Sequence, residues 1–329
     1  MLNLDLKLNP KLFDEDVEIK PTRTGYGEGL LALGEKNPNV VALSADLTES
    51  TYAHLFAEKY PDRFLEVGVA EQNMAAISAG LAMNGKIPFM SSYATFSPGK
   101  NWETIRTTII YNNANVKMAG HHAGIMTGPD GATHQATEDI AITRSWPGIS
   151  ILVPCDSIEA KKATIKAGEI NGPVYLRFTR DKTPIMTTNE TPFEVGKIQT
   201  FWVTDNPVAT IFATGYMLYY ALLAAKELEQ ENIQVLIANV STIKPLDEKA
   251  ILTYANDTNA FVSIEDHQVM GGLGGAISEF LAKTKPTPME FIGLQDTFAE
   301  SGTPLELIEK YGMGKDSIKQ AVKKVIARK

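Results

Sequence analysis

Cysteine is almost missing. The 329 residues hold one, Cys155, so no internal disulfide can form and the thiol is expected to be a buried structural one. Positive charge is also short: Lys and Arg number 31 against 39 Asp and Glu, a net charge of −8. No basic run interleaves with aromatics, which argues against nucleic acid as a partner. No apolar stretch approaches the roughly 20 residues that a membrane helix needs. The start "MLNLDLKLNPKLFDEDVEIK" has neither a basic n-region nor a long apolar core, so a cytoplasmic protein is expected. Repeats and low-complexity tracts are absent too. What remains is a chain 44% hydrophobic and 21% charged, long enough for two domains with two compact cores.

Short apolar runs alternate with longer amphipathic ones. "NVVALSAD" ending at Asp46, "KIPFMSSY" at Tyr93, "VKMAGHH" at His122, "ISILVPCD" at Asp156 and "PVYLRFTR" at Arg180 read as buried strands. Helices are expected between them over Gly25–Lys36, Glu71–Met83, Asn101–Asn112, Ala136–Trp146 and Ser157–Ile170, with Gly85, Gly148 and Gly172 as stops. This βαβα order predicts an α/β fold with mainly parallel sheets. After "TPIMTTNETPFEVGK" the pattern restarts with strands "VATIFAT", "IQVLIANV" and "NAFVSIED" and a helix over Tyr216–Glu231. The predicted division is 1–190 and 191–329, both halves α/β.

In open parallel sheets, ligands bind outside the carboxyl ends of the strands. Four of the five strands in the first half finish on Asp46, Tyr93, His121-His122 and Arg180, so these residues are expected to converge. The stretch "GPDGATHQATEDI", Gly128 to Ile140, adds Asp130 and His134. Pro129 and Gly131 oppose a helix there, so the pair is expected on an irregular loop feeding a helix that opens at Thr137-Glu138-Asp139.

The motifs "FLEVGVAEQNMAAISAGLAMNG", "SSYATF", "GPDGATHQ" and "YLRFTR" together resemble the pyrimidine-binding half of transketolase, and the remaining third resembles that enzyme's C-terminal domain. The resemblance implies a thiamine diphosphate enzyme that transfers two-carbon ketol units between sugar phosphates in pentose phosphate metabolism. The family's Gly-Asp-Gly diphosphate and metal motif does not occur in this sequence. The resemblance therefore implies one half of a split transketolase, with thiamine diphosphate's diphosphate and its Mg²⁺ held by a separate N-terminal subunit in an α2β2 assembly, and no metal ligand in this chain.

Residue by residue, the resemblance makes Glu71 the carboxyl that hydrogen-bonds the pyrimidine and lets the cofactor lose its C2 proton, aided by a partly desolvated setting. Phe96 matches the family's aromatic wall. Gly99 stands where many transketolases carry a second phenylalanine, which leaves Tyr93 and Trp102 as candidates for that stacking place. Asp46 fits a hydroxyl or cofactor-pocket contact. Arg23, Ser50, His122 and Arg180 match the phosphate-binding set, and Asp130 and His134 the pair that grips sugar hydroxyls near the reacting carbonyl. The small residues of "NMAAISAGLAMNG" suit either a helix pressed against another subunit or a crowded core.

Gly272-x-Gly274 lacks the third glycine of a dinucleotide fingerprint, having Ile277 there, and is not read as one. His267 is expected in a connection, either without a special role or at a subunit interface. Three alternatives stay open: a deoxyxylulose-phosphate synthase-like subunit, a 2-oxo acid dehydrogenase β-like subunit, and a non-enzymatic regulatory subunit derived from the family.

Overall fold

The hydrophobic runs do become strands in a computed structural model that describes residues Met1–Lys329. The first half supplies β1 (Ile19–Pro21), α1 (Thr22–Lys36), β2 (Val40–Ser44), α2 (His54–Lys59), β3 (Phe64–Glu66), α3 (Glu71–Met83), β4 (Ile87–Tyr93), α4 (Trp102–Thr104), β5 (Lys117–His121), α5 (Asp139–Arg144), β6 (Ser150–Leu152), α6 (Ser157–Glu169), β7 (Val174–Arg177) and β8 (Lys182–Pro184). The second adds β9 (Gln199–Trp202), β10 (Ala209–Ala213), α7 (Met217–Gln230), β11 (Val235–Asn239), β12 (Thr242–Lys244), α8 (Glu248–Asp257), β13 (Phe261–Gln268), α9 (Leu273–Thr284), β14 (Met289–Leu294), α10 (Pro304–Lys310) and α11 (Lys315–Ile326).

A seven-stranded sheet runs in the order β12-β6-β7-β5-β4-β2-β3 and a five-stranded one in the order β14-β13-β10-β11-β9. Both are parallel except where β12 and β9 join antiparallel. Strands β2, β5 and β7 are buried at every position, as expected when helices cover both faces of a parallel sheet.

Three expectations need correction. The helix expected over Asn101–Asn112 is a short α-turn, Trp102–Thr104, followed by a π-wound stretch, Ile105–Ile110. The helix expected over Ala136–Trp146 shrinks to Asp139–Arg144, because Arg177 takes the Ala136 carbonyl and leaves that residue outside the helix. The two expected cores are not separate. One apolar cluster contains Ile151, Val153 and Tyr175 beside Phe212, Ala238 and Phe261, and so spans both sheets.

One feature binds the halves further: strand β12 crosses over to pair with β6. Within the first half, the Asp156 carboxylate both caps α6, through Glu159 N–H at 2.8 Å, and accepts the N–H groups of Met186 and Thr187 at 2.8 and 2.6 Å.

Helix α1 lies so close to α6 that its glycines form the contact. A Cβ on Gly25 would stand 1.8 Å from the Ser157 carbonyl oxygen, and one on Gly29 2.8 Å from Thr164 Cβ. Gly25→Ala therefore forces the two helices apart and is expected to destabilise the fold by about 1–3 kcal/mol, the range for overpacking. Urea unfolding checks this, and an unchanged midpoint would mean that α1 carries no such constraint.

Candidate active site

Strands β7, β5, β4 and β2 are neighbours, so their carboxyl ends lie side by side. Tyr93 is in register with His121, and Gly120 with Arg177. His122 follows β5 with a left-handed φ of 53°, a turn that aims its ring at Tyr93; the two rings stack at 3.7 Å between centroids. Tyr93 also stacks on Phe96 at 5.8 Å, and Phe96 meets His134 edge-on at 5.5 Å. Four of the expected residues thus form one aromatic cluster.

The cations collect beside it. A polar cleft of about 580 Å³ is lined by Arg23, Pro129, Arg180, Asp181, Thr303 and Glu306, among others. Arg23 reaches it from the start of α1, its Nη1 donating to the Ser50 carbonyl at 2.8 Å and its guanidinium lying 5.5 Å from the Tyr52 ring. Ser50 thus acts through its backbone. Arg180 donates to the Thr127 carbonyl at 3.0 Å and lies 3.8 Å from the Asp130 carboxylate, which fixes the cation against the loop that carries Asp130 and His134.

The surroundings set the charge states. His122 is 2% exposed, and burial, then the Arg23 and Arg180 guanidiniums and His134, push its pKa down to about 3. It is a neutral imidazole at working pH. Burial likewise lowers the pKa of Arg23, whose neighbours include the like charge of Arg180.

Glu71 opens α3 and is 2% exposed. Its Oε2 accepts from Lys100 Nζ at 2.8 Å, and its carbonyl accepts from Asn101 Nδ2 at 2.9 Å. The burial expected for this carboxylate is present, and an ammonium group also faces it. Lys100 and Asn101 escaped the sequence reading, since only the backfolding of residues 95–100 onto α3 reveals them.

Two assignments move away from the cluster. Trp102 stacks on Trp146 at 5.6 Å and donates to the Ile142 carbonyl at 3.3 Å, a packing role. Asp46 is exposed with a left-handed φ of 62°; its N–H, with Thr48 and the Gly68 N–H, is organised by the Glu66 carboxylate. His267 is corrected too: it is completely buried in β13, accepts the Ala141 N–H, and burial lowers its pKa to about 4. The Gly272-Leu273-Gly274 turn receives its anion from within, as the Glu265 carboxylate accepts the N–H groups of Leu273 and Gly274.

A buried ion pair that sequence reasoning missed joins β7 to α5. Asp139, read as a helix-opening acid, accepts Arg177 Nε at 2.8 Å and the Tyr175 hydroxyl at 2.6 Å, with both charged groups under 5% exposed. An arginine inside a fully buried strand was the available signal, since such a charge requires a partner.

Two guanidiniums line the polar cleft, with a neutral imidazole, a second histidine and a carboxylate close to them, a set of groups suited to a phosphate-sized anion and a polyol. A carboxylate beside an aromatic wall fits the aminopyrimidine of thiamine diphosphate, provided that Lys100 yields or adjusts. No three His, Cys, Asp or Glu side chains are grouped to hold a metal ion.

Known proteins share this arrangement of the chain. The transketolase pyrimidine-binding domain family matches residues 20–186, and the transketolase C-terminal domain family residues 202–318. A putative transketolase C-terminal section of Methanocaldococcus jannaschii is 42% identical, over 92% of this chain and 95% of its own length. A 6-deoxy-6-sulfo-D-fructose transketolase subunit of a Clostridium species is 37% identical, over 96% and 98%. A solved split-gene transketolase, an inactive β4 tetramer, superposes with a TM-score of 0.87 at 41% identity, over 93% of this chain and 98% of that one.

The neutral state of His122 has a consequence for acid stability. An unfolded histidine takes up its proton near pH 6.5, whereas His122 in the fold does so near 3, so the unfolded state binds more protons in between. Stability is whole above about pH 6.5 and is lost as pH falls. Between pH 7 and 5 the protein should lose about 2 kcal/mol more than the His122→Phe variant, which keeps the stacking. Urea unfolding at both pH values measures the difference, and parallel losses would mean that His122 titrates normally in the fold.

Proposed function

The chain belongs to the transketolase family, and from that premise we propose that it is the C-terminal subunit of a two-chain transketolase that transfers a two-carbon ketol unit between sugar phosphates. The carrying observation is that Arg23 and Arg180 line one cleft, with Asp130 3.8 Å from Arg180 and with His122 close enough for both guanidiniums and His134 to act on its charge. A 2-oxo acid such as pyruvate has no distal phosphate to use such a pair of guanidiniums. The pyrimidine-binding unit would end near residue 190.

Thiamine diphosphate, when bound, supplies the stabilised carbanion on which ketol transfer depends. Glu71 would share a proton with its pyrimidine, Phe96 would wall the ring, and Tyr93, already stacked on His122, would brace that wall. A separate N-terminal subunit would hold the diphosphate and Mg²⁺. The outer face of α3 supports an assembly: Ala76 and Gly80 are exposed, nothing lies within 4 Å of a Cβ on Gly80, and Met83 is 63% exposed. In catalysis Arg23 and Arg180 would neutralise the phosphate, His122 would donate or accept one hydrogen bond as a neutral ring, and Asp130 with His134 would orient the sugar hydroxyls at the reacting carbonyl. A sulfonate, as in the name of the Clostridium relative, offers three oxygens to the same guanidiniums, so the class of tail anion extends to it.

Glu71→Ala should leave assembly intact but slow hydrogen–deuterium exchange at C2 of the bound cofactor by about 10²–10⁴-fold, the usual share of a general acid–base group. Unchanged exchange in the assembled variant would remove Glu71 from this role.

Arg180→Ala tests the clamp. Charge-assisted hydrogen bonds contribute roughly 1.5–3 kcal/mol each, so kcat/KM of the assembled complex for a ketose phosphate donor should fall about 10- to 150-fold. Hydroxypyruvate, which lacks the phosphate, should be nearly unaffected when each donor is paired with glycolaldehyde. The isolated chain should turn over neither donor. Equal losses for both donors would mean that Arg180 supports the fold, and the clamp would have to be abandoned.

A further inference from the structure

The loop that carries Asp130 and His134 takes its shape from the five-stranded sheet. Asp266, 2% exposed near the end of β13, accepts the Ile125 N–H at 2.9 Å on one carboxylate oxygen and the Met126 N–H at 3.4 Å on the other. Its approach is so close that a Cβ on Gly124 would stand 1.9 Å from Oδ2, and Gly124 has a left-handed φ of 77°, so two independent constraints require glycine there. The Asp266 carbonyl meanwhile accepts Arg177 Nη2 at 2.8 Å, and the same nitrogen reaches the Ala136 carbonyl at the loop's other end. Gly124 N–H to the Ala136 carbonyl, 2.7 Å, closes the base. At the far side Gln135 Nε2 donates to the carbonyls of Gly128 and Glu300, at 3.1 and 3.2 Å.

We propose that Asp266 is a positioning residue: through the Ile125 and Met126 amides it holds the loop so that Asp130 stays beside Arg180 and His134 against Phe96 and Tyr93. This rests on the reading of Asp130 and His134 as the sugar-hydroxyl pair. The physical case is one of order. Fixing a backbone residue costs about 1–2 kcal/mol, and the residues between the two pins are rich in glycine, so an unpinned loop would sample many shapes. A carboxylate is suited to the task because one side chain can accept two adjacent amides; burial raises its pKa, and Arg177 and the amides offset that in part. Misplacing a substrate-gripping group by about 1 Å can cost about 10²-fold in rate.

The test uses Asp266→Asn and Asp266→Ala in the complex with the N-terminal subunit. Amide exchange at Ile125 and Met126 should accelerate by about 100-fold in the Ala variant and less in the Asn variant, which keeps one acceptor. KM should rise by about 10- to 100-fold for ribose 5-phosphate, whose hydroxyls the loop would orient, and by less than about threefold for glycolaldehyde, with kcat changed far less. Slow exchange at both amides, or equal KM changes for the two acceptors, overturns the proposal. If Asp266→Ala does not assemble, the Asn variant decides on the same two criteria. Asp130→Ala and His134→Ala, measured alongside, separate the levels: discrimination between acceptors in those variants but not at Asp266 defeats the positioning role alone, and its absence in all of them defeats the hydroxyl-pair reading as well.

Discussion

A guanidinium buried between two sheets is the constraint on which much of this structure depends. Arg177 is 5% exposed, and an uncompensated charge in such a place costs several kcal/mol, so the surrounding chain is arranged to answer it. Asp139 supplies the counter-charge, and the carbonyls of Ala136 and Asp266 accept from Nη2. Burial alone would push the Asp139 carboxyl up, but Arg177 and Tyr175 outweigh it and hold the group below its usual range. One side chain of β7 thereby fixes the start of α5, the end of the loop before it and the end of β13. The two sheets are joined by charge as well as by their shared apolar core.

The cleft is governed by the opposite arrangement, cations without full partners. The chain carries a net charge of −8, yet Arg23 and Arg180 face each other with Asp130 3.8 Å from Arg180 as the nearest paired carboxylate. The two guanidiniums share the cleft lining with the carboxylates of Asp181 and Glu306, so the site mixes both signs of charge. Deeper in, burial and those same guanidiniums keep His122 neutral, so the imidazole adds no further repulsion between the cations.

The sequence revealed the fold through periodicity. Runs such as Val40–Ser44 and Lys117–His121 are buried at every position and could be little else than central strands, and Glu71–Met83 matches its helix at both ends. The strand-end residues Tyr93, His122 and Arg180 were legible for the same reason, since parallel topology sends them to one edge. What stayed hidden depends on contacts distant in the chain. Lys100 meets Glu71 only after residues 95–100 fold back, Asp139 and Arg177 lie 38 positions apart, and Asp266 meets Ile125 across 141. Trp102, a stacking candidate through the resemblance, packs on Trp146 instead, and His267, expected in a connection, lies inside β13, because both placements depend on partners that local pattern does not show.

The two ends of the site are consequently built by different means. Residues at the strand ends inherit rigidity from ladder hydrogen bonds and need little further support. Asp130 and His134 sit on a stretch where Gly124, Gly128 and Gly131 all have positive φ, a backbone that no other residue type adopts comfortably and that supplies no ladder of its own. Its order must be imported, and the donors and acceptors that impose it come from Arg177, Arg180, Gln135 and Asp266. Glycine is therefore useful here for two linked reasons: it permits the bend, and at Gly124 it lets a carboxylate approach closely enough to hold the bend in place. A loop made this way can present polar groups with the precision of a strand end while remaining free of a strand's fixed direction.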